Sequence, residues 1–474
     1  MQNAVLFDLP TFPRGVLSLS LPTVAACLRP FLKVRIVDLN FYEERRYEGL
    51  LAGLGTVHLA GLKVSAQNLE LARDFTRLLR RLRPEAKVVW GGELPTLLPA
   101  ACLEHADSVV QGRFEPHARA FVEGLREGRL LRVYEDAGPA PLDGLPPPAL
   151  DLVEGREGYL GFMGAPLESS LGCPEKCTFC MVHSTQPLAA YRSGPSLAAD
   201  LSANPREFVN VLDYNLGASK AHLLALAAEL GRSRARGWMG ELCLSALEDD
   251  ETLDALAGSR CRIVYCGLES LSDKSLRTVV KPQNKTGEYL RLVRRAQGRG
   301  IEVGSGFILG LDGNEASFPE FLDFCEEAGI LYIKLTFLTF NPGTKVQASM
   351  RAKGRYLTEE ISSYDGCHLT FLPGEGSAQA VFEGARAMIA RFYSWPSLWK
   401  RSRHLAGAPL RRAEFILFSH CYGQVYRQWL AYDILRVGGG RFEDLLRAPM
   451  VKGLRLRLAE GLLAALRRGF YRPS

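Results

Sequence analysis

Twice along this chain, short apolar runs alternate with amphipathic stretches of helical period, and that alternation admits few architectures. Parallel strands need a crossover of a dozen or more residues, normally a helix, so each block is expected to form a parallel α/β sheet. The first block runs from Ala4 to about Gly128. Its strand candidates are AVLFDL, VRIVDL, VHLAGLKVS, KVVWGG and SVVQG, with TVAACLRPFL, LELARDFTRLLRRLR and HARAFVEGL as helices. An open sheet of this kind takes ligands beyond the carboxyl ends of its strands, where the sequence puts Gly91-Gly92 and Gly112. Glycine there either makes room for something bulky or forms a plain tight turn.

A proline-rich stretch follows, AGPAPLDGLPPPAL at 137–150; proline neither continues a helix nor donates to a sheet ladder, so 137–157 reads as a linker. From about Gly158 the alternation resumes, with ESSLG, FVNVLDYN, ELCLSA, CRIVYCGLES, EVGSGFILGLDG and YIKLTFLTF as six strands. Six βα units fall short of a closed eight-strand barrel and suit a partial one, whose active face is again the carboxyl ends of the strands. After Pro342 the strands fade, and the remainder reads as mainly helical, with Phe392, Tyr393, Trp395 and Trp399 clustered. The expected fold is therefore α/β: an open parallel sheet over 1–136, the linker, a partial six-strand barrel over 158–346, and a helical substrate-covering domain over 347–474. That division agrees with ~150 residues per domain in a chain of 474.

Hydrophobic residues at 47%, charged residues at 23%, 46 glycines and 26 prolines exclude a collagen-like, disordered or coiled-coil chain. No run approaches the ~18 uncharged apolar residues of a membrane span, and Asp8 interrupts the start where a secretory signal would continue its apolar core; the expected location is the cytoplasm. The net charge of +6 is mostly C-terminal, since residues 391–474 carry 16 Lys/Arg against 5 Asp/Glu. Such a tail suits an acidic or phosphate-bearing partner, a membrane surface, or simply a solvated helical face.

Of eleven cysteines, eight lie scattered, mostly inside apolar runs, and read as small core residues. The other three, Cys173, Cys177 and Cys180, fall within eight positions directly after the first strand of the second block. In a reducing compartment such bunching points to a metal or cluster rather than a disulfide. Three thiolates at this spacing can hold three irons of a four-iron cluster and leave the fourth open to chemistry. The rival is zinc, completed by His183. Zinc knuckles, however, are usually small modules that fold around the metal, whereas this loop sits in a long α/β block with its own core. A redox pair of Cys177 and Cys180 would leave Cys173 unexplained.

The CxxxCxxC loop, with Phe179 before its last cysteine at the head of a six-strand βα block, resembles that of the radical S-adenosylmethionine enzymes. Further matches follow in order. Asp213-Tyr214-Asn215 stands where that family meets the methionine amine, and Gly267-Leu268-Glu269-Ser270 looks like the segment near ribose and methionine. Gly306-Phe307-Ile308-Leu309-Gly310 resembles the GxIxG stretch beside adenine, and Pro342-Gly343-Thr344 closes the sixth strand as is common there. The acid that trails GxIxG in the family falls here at Gly313. The resemblance implies a 4Fe-4S cluster on the three cysteines and a S-adenosylmethionine site formed by Phe179, Asp213, Tyr214, Asn215, Glu269, Ser270, Gly306, Ile308 and Gly310. An external one-electron reductant would drive cleavage of the sulfonium to a 5′-deoxyadenosyl radical. The cofactors do the hard chemistry while the protein positions them and excludes water.

The first block resembles the cobalamin-binding domain that precedes the radical core in one large subclass. The matching positions are Asp8, Pro10, Asn40, Ser65, Gly91, Gly92, Glu93 and Gly112. Related domains that ligate cobalt use DxHxxG after the first strand; here Asp8-Leu9-Pro10 puts proline in place of histidine, so no lower histidine ligand is expected. By analogy with axial-ligand tuning in haem, a cobalt without that ligand favours departure of an upper methyl. His58, His105 and His117 read as structural or exposed.

Together these resemblances imply an enzyme that methylates an unactivated carbon of a small-molecule or lipid-like substrate, using cobalamin and S-adenosylmethionine. The same pair of domains is also similar to enzymes that oxidise, cyclise or contract rings without methylation, and a cobalamin- or cluster-sensing protein is the non-enzyme alternative. Methylthiotransferases usually carry a second cysteine triad, and only Cys27 and Cys102 lie in the first block. Cys367 and Cys421, candidates for a methyl-carrying thiol, sit in no recognisable motif. The segment RFYSWPSLWKRSRH could meet an acidic, aromatic or lipid-like molecule. The basic pattern VKGLRLRLAEGLLAALRRGF suits a membrane surface or packing on its own domain. No RNA-binding signature appears, so no nucleic-acid partner is expected.

Overall fold

Two six-stranded parallel sheets organise the chain, one in each block where strand and helix patterns alternate. The computed structural model describes all residues except 12–15, 139–140, 156–158, 187–189, 205–206, 312–316, 340, 343, 374–375, 431–453 and 471–474, and except the side chains at 183–184, 427–430, 454–456, 460 and 467–470. Gly313, Gly343, the His183 side chain and parts of the proline-rich stretch and of the C-terminal basic pattern therefore lie outside the described residues.

The first sheet contains β1 (Asn3–Asp8), β2 (Lys33–Asp38), β3 (Leu59–Lys63), β4 (Lys87–Gly91), β5 (Ser108–Val110) and β6 (Val133–Tyr134), in the order β2-β1-β3-β4-β5-β6. Alternate residues of each strand enter different cores. Val5, Phe7, Ala60, Leu62, Val88 and Trp90 meet Phe75 and Leu79 of the Leu69–Leu82 helix on one face. Leu6, Ile36, Leu59 and Val89 meet the Ser20–Leu28 and Ala118–Arg126 helices on the other. Both faces are thus covered, as parallel sheets require. The two-residue β6 escaped the sequence reading because a strand that short carries no period. Past it, the stretch expected to be a linker docks on this sheet: Val153 bridges Ile36 of β2, and Glu154 and Asp151 pair with Arg35 and Arg29.

The second sheet contains β7 (Ala165–Leu167), β10 (Phe208–Val211), β11 (Gly237–Glu241), β12 (Cys261–Glu269), β13 (Glu302–Leu309) and β14 (Ile333–Phe337), every neighbour parallel and in chain order. Strands added in sequence, each through a helical crossover, curve into a half-barrel. A short antiparallel pair, β8 (Ser170–Leu171) and β9 (Ala190–Tyr191), stands at its mouth. Two strands lie earlier than the sequence suggested: the first, β7, covers APL rather than ESSLG, and β11 lies four residues earlier, over GWMGE rather than ELCLSA. Two glycines hid β11. They are needed there because a Cβ at Gly237 would meet the Phe208 ring at 3.0 Å, and one at Gly240 would meet Leu216 at 2.7 Å.

The C-terminal helices Ala378–Phe392, Trp395–Arg401 and Pro409–Leu430 pack beside the last strand, β14, where the Tyr393 and Tyr426 hydroxyls bond to the backbone of Ile333 and Leu335. Arg401 fastens them. Fully buried, it donates to the carbonyls of Ile330 and Leu331 beyond the Phe318–Ala328 helix, to that of Phe392, and to Ser419, with its guanidinium 3.7 Å from the Phe392 ring centre. Phe392, Tyr393 and Arg401 of the aromatic and basic segment expected to meet substrate are thereby spent on packing, while Trp395 and Trp399 stay exposed. Among the described residues no helix is long and apolar enough to cross a membrane. In the Leu454–Phe470 helix Ala459 and Leu463 are buried, while Leu458 and Leu462 stay exposed.

Candidate functional site

The three cysteines occupy the loop between β8 and the Met181–Thr185 helix, at the carboxyl end of the half-barrel. Gly172 opens the loop at φ +77°, a conformation that favours glycine. Backbone bonds then pin it: the Thr178 amide donates to Val279 O (3.1 Å), the Val346 amide to Thr178 O (3.3 Å) and the Cys180 amide to Cys177 O (3.1 Å). Cys177 is buried, and Cys173 and Cys180 are half-buried. Burial pushes the Cys173 thiol above its ordinary value, and Cys180 and Glu175 beside it add to the rise. Cys177 is pushed up to about 11, burial first, against the pull of the Lys281 ammonium. The three thiols are electrostatic neighbours. Among the described residues, however, no three His, Cys, Asp or Glu side chains are gathered as a cage for a single ion.

Around this loop the structure assigns distinct tasks to the residues chosen from sequence. Both Asp213 carboxylate oxygens are engaged: Oδ1 accepts from the Ser169 amide (2.7 Å), and Oδ2 from the Ser169 hydroxyl (2.5 Å) and the Ser170 hydroxyl (2.6 Å). Desolvation raises the Asp213 carboxyl and these bonds lower it again, with a net rise. Asp213 therefore holds the strand that leads into the cysteine loop. Asn215 uses Oδ1 on the amides of Gly217 (3.1 Å) and Cys243 (2.9 Å), and its side chain reaches the Cys173 thiol. Tyr214 is 47% exposed, at the wall of a concave space, and desolvation pushes its hydroxyl up to about 12.

On the opposite flank β12 ends in a bulge, where the register with β13 slips between Gly267 and Glu269 and Glu269 takes φ +64°. A bulge re-aims a side chain at the cost of local strain. Glu269 is buried and ion-paired with Lys281. Burial pulls the Lys281 ammonium down, and the Glu269 carboxylate more than restores it. Lys281 Nζ and Asn284 Nδ2 also donate to Gly267 O, at 3.0 and 2.8 Å. Ser270 is fully buried, and its hydroxyl accepts from the Ser272 amide. Phe179 packs partly buried on the barrel core, where Ile308 is also buried. What approaches Gly306 is the Tyr265 hydroxyl, 2.1 Å from where a Cβ would stand; at Gly310, φ +97°, the Phe371 ring takes that place.

Beside this loop lies a cavity of about 860 Å³ whose walls come from both sheets. From the first sheet come Gly91, Gly92, Glu93 and Gly112; from the half-barrel come Glu168, Ser170, Tyr214, Glu241, Tyr265 and Lys334. Leu28, Gly61 and Val89, from the Ser20–Leu28 helix and the first sheet, also line the cavity. Gly92 sits at φ +109°, and a Cβ there would fall 2.9 Å from Val64 O. Arg113 crosses between the sheets, pairing with Glu115 and, at 3.0 Å, with Glu168.

Asp8, Pro10, Asn40 and Ser65 are not part of the cavity wall. Asp8 and Pro10 are buried, and Asn40 donates to Asp38 Oδ1 (2.7 Å). Burial first, then Asp8, raises the Asp38 carboxyl to about 7. Burial likewise raises Glu93 to about 7, with Lys63 opposing. His58 accepts from the Asn3 amide and His105 from Arg73 Nε, which are structural bonds. The sequence reading missed Ser169, Lys281, Asn284, Arg113 and Glu168, none of which stands in a motif; they act through contacts distant in the chain.

The family model for the radical SAM superfamily matches residues 167–325, the span that contains the cysteine loop and β10 to β13. This half-barrel is a radical SAM domain. The chain carrying it is 23% identical over 403 residues to the bacteriochlorophyllide d C-12(1)-methyltransferase of Chlorobaculum tepidum, covering 82% of this chain and 85% of that one. Among solved structures it is similar to the radical S-adenosylmethionine methyltransferase TsrM from Kitasatospora setae, solved with cobalamin and an iron–sulfur cluster: TM-score 0.66, 17% identity, 88% of this chain and 99% of that one. It is also similar to the cobalamin-dependent S-adenosylmethionine radical enzyme OxsB, at TM-score 0.64, 14% identity, all of this chain and 82% of that one. The likeness in fold thus extends beyond the radical SAM domain to the sheet before it and most of the helices after it.

Proposed function

We propose that this chain is a cobalamin-dependent radical S-adenosylmethionine C-methyltransferase acting on a small molecule. The observation that carries the reading is the placement of three neighbouring thiols at the mouth of a half-barrel, beside a cavity whose other wall is the glycine-lined carboxyl edge of a second parallel sheet. Methyltransferase activity in a relative that matches most of the chain supports it.

The residues present fit the groups this function needs. Cys173, Cys177 and Cys180 would hold the 4Fe-4S cluster, with no fourth cysteine in the loop. Gly92 and Gly112 leave no room for side chains where the cavity meets the first sheet, since a Cβ at Gly112 would fall 2.5 Å from Asp136 Oδ1. The cavity of about 860 Å³ has its other wall on the carboxyl edge of the first sheet, where ligands of open α/β sheets sit, and that suits a large planar cofactor such as cobalamin. None of the described residues lining it is a histidine. When bound, the cluster with S-adenosylmethionine supplies a carbon-centred radical and the corrinoid supplies a methyl group. The protein's own part is positional. Asp213 fixes Ser169 and Ser170 at the start of the cysteine loop, Asn215 approaches Cys173, and the Lys281–Glu269 pair sets the field beside Cys177. Tyr214 lines the cavity, and Gly306, Ile308 and Gly310 on β13 and just after it are the further positions that the family resemblance assigns to S-adenosylmethionine. Arg113 ties the two sheets together beside the chamber.

Anaerobic reconstitution with iron, sulfide and hydroxocobalamin tests this. The full chain is expected to take up both cofactors and, once reduced, to cleave S-adenosylmethionine, with Cys173→Ala, Cys177→Ala and Cys180→Ala each losing iron and cleavage. Full iron and normal cleavage in all three variants would end the cluster assignment. On the product side, S-adenosylhomocysteine together with a mass gain of one methylene marks methylation; S-adenosylmethionine cleavage without either product would instead favour a radical rearrangement or oxidation.

A further inference from the structure

Within the half-barrel the cavity wall carries two charged side chains for which the radical chemistry has no use. Glu241 ends β11 and Lys334 lies on β14; both are open to the cavity. The sheet register places them close in height: Glu241 stands beside Tyr265, Tyr265 beside Gly304, and two residues further along β13 Gly306 stands beside Lys334. Neither makes an ion pair or a side-chain hydrogen bond with any described residue. Between them the wall is aromatic. A Cβ at Gly304 would fall 2.3 Å from the Tyr332 ring, so glycine there admits that ring across β13. Tyr265 and Tyr332 stack at 5.9 Å and 21°, and Tyr422 and Tyr426, from the Pro409–Leu430 helix, continue the surface at 5.7 Å and 27°. All four rings line the cavity.

Opposite charges open to one chamber and unpaired with each other are available to a ligand of complementary charge, and charge-assisted hydrogen bonds are the strong ones. Burial raises the Glu241 carboxyl to about 7, with Lys334 and Lys281 opposing and Glu269 adding to the rise. We propose that Glu241 and Lys334 are the substrate-orienting groups, and that the substrate is a ring-bearing amphoteric molecule: a carboxylate seated on Lys334, a cationic or N–H group on Glu241, and a flat apolar body on the tyrosine surface. This rests on the reading of the cavity as the reaction chamber. The two groups set which carbon of the substrate faces the first sheet; they fix orientation and take no part in bond making.

The test uses the reconstituted full chain and three naphthyl probes read by their own fluorescence: 3-(2-naphthyl)alanine, which carries both charges, 3-(2-naphthyl)propanoate and 2-(2-naphthyl)ethylamine. Binding is measured at about pH 8, where carboxylates and amines are ionised. Naphthylalanine is expected to bind tightest. Lys334→Met should weaken the two carboxylate probes about tenfold or more and leave the amine unchanged, because a charge-assisted hydrogen bond is lost. Lys334→Arg should restore them. Glu241→Gln should weaken only the two amine-bearing probes. The proposal is overturned if the wild-type chain binds none of the three, or if either variant weakens all of them equally or none. The outcomes separate from the parent reading: a chain that sorts the probes as stated but takes up no iron refutes the radical function alone, whereas one that cleaves S-adenosylmethionine but ignores these substitutions refutes only the present inference.

Discussion

Replacing Lys281 by methionine keeps most of the side-chain volume and removes the charge that faces Glu269. Both partners are nearly enclosed, with side chains 11% and 12% exposed. Removing one member of a buried pair leaves the other uncompensated and costs about 3–5 kcal/mol. The loss here belongs at the lower end, about 3 kcal/mol, because the Gly267 carbonyl that Lys281 also serves keeps its bond from Asn284. A double variant, Glu269→Gln with Lys281→Met, removes both charges and should return to within about 1 kcal/mol of the parent. Urea unfolding of the apo-protein followed by tryptophan fluorescence, in which Trp238 reports from the half-barrel core, gives both values. The reasoning fails if the single variant unfolds within about 0.5 kcal/mol of the parent, or if the double variant is worse than the single one.

Gly92→Ala forces a side chain into a left-handed conformation and against Val64 O, so it should cost about 1–3 kcal/mol and lower corrinoid uptake, measured as bound cobalt per chain. Asp38 binds a proton more readily folded than unfolded, so its contribution to stability falls as pH rises from about 4 to about 7. Asp38→Asn should flatten that slope in thermal melts across the range; an unchanged slope would refute the assignment.

Where an element's own residues carry its signal, the sequence was readable. The apolar alternation found both parallel sheets, and the cysteine spacing pointed to the site before any neighbour was known. What escaped was decided by distant contacts. The β11 strand is disguised by Gly237 and Gly240, whose smallness answers to Phe208 and Leu216 elsewhere in the chain. The resemblance put Asp213 near the methionine amine, but its bonds from Ser169 and Ser170, which hold the strand into the cysteine loop, could not be read from the sequence. Lys281 had no motif, because its meaning comes from a bulge at Glu269 that no single-sequence pattern announces. In the RFYSWPSLWKRSRH segment the sequence could not tell Arg401, which folding binds to carbonyls, from Trp395 and Trp399, which stay exposed; none of the segment lines the cavity.

The floor and ceiling of the chamber belong to different hydrophobic cores, joined across the gap by Arg113. Descendants of this chain can therefore exchange the lumen-facing residues of β11 and β14 without repacking the glycine-lined edge opposite. On the function proposed above, choice of substrate and supply of methyl groups are separately heritable in this architecture.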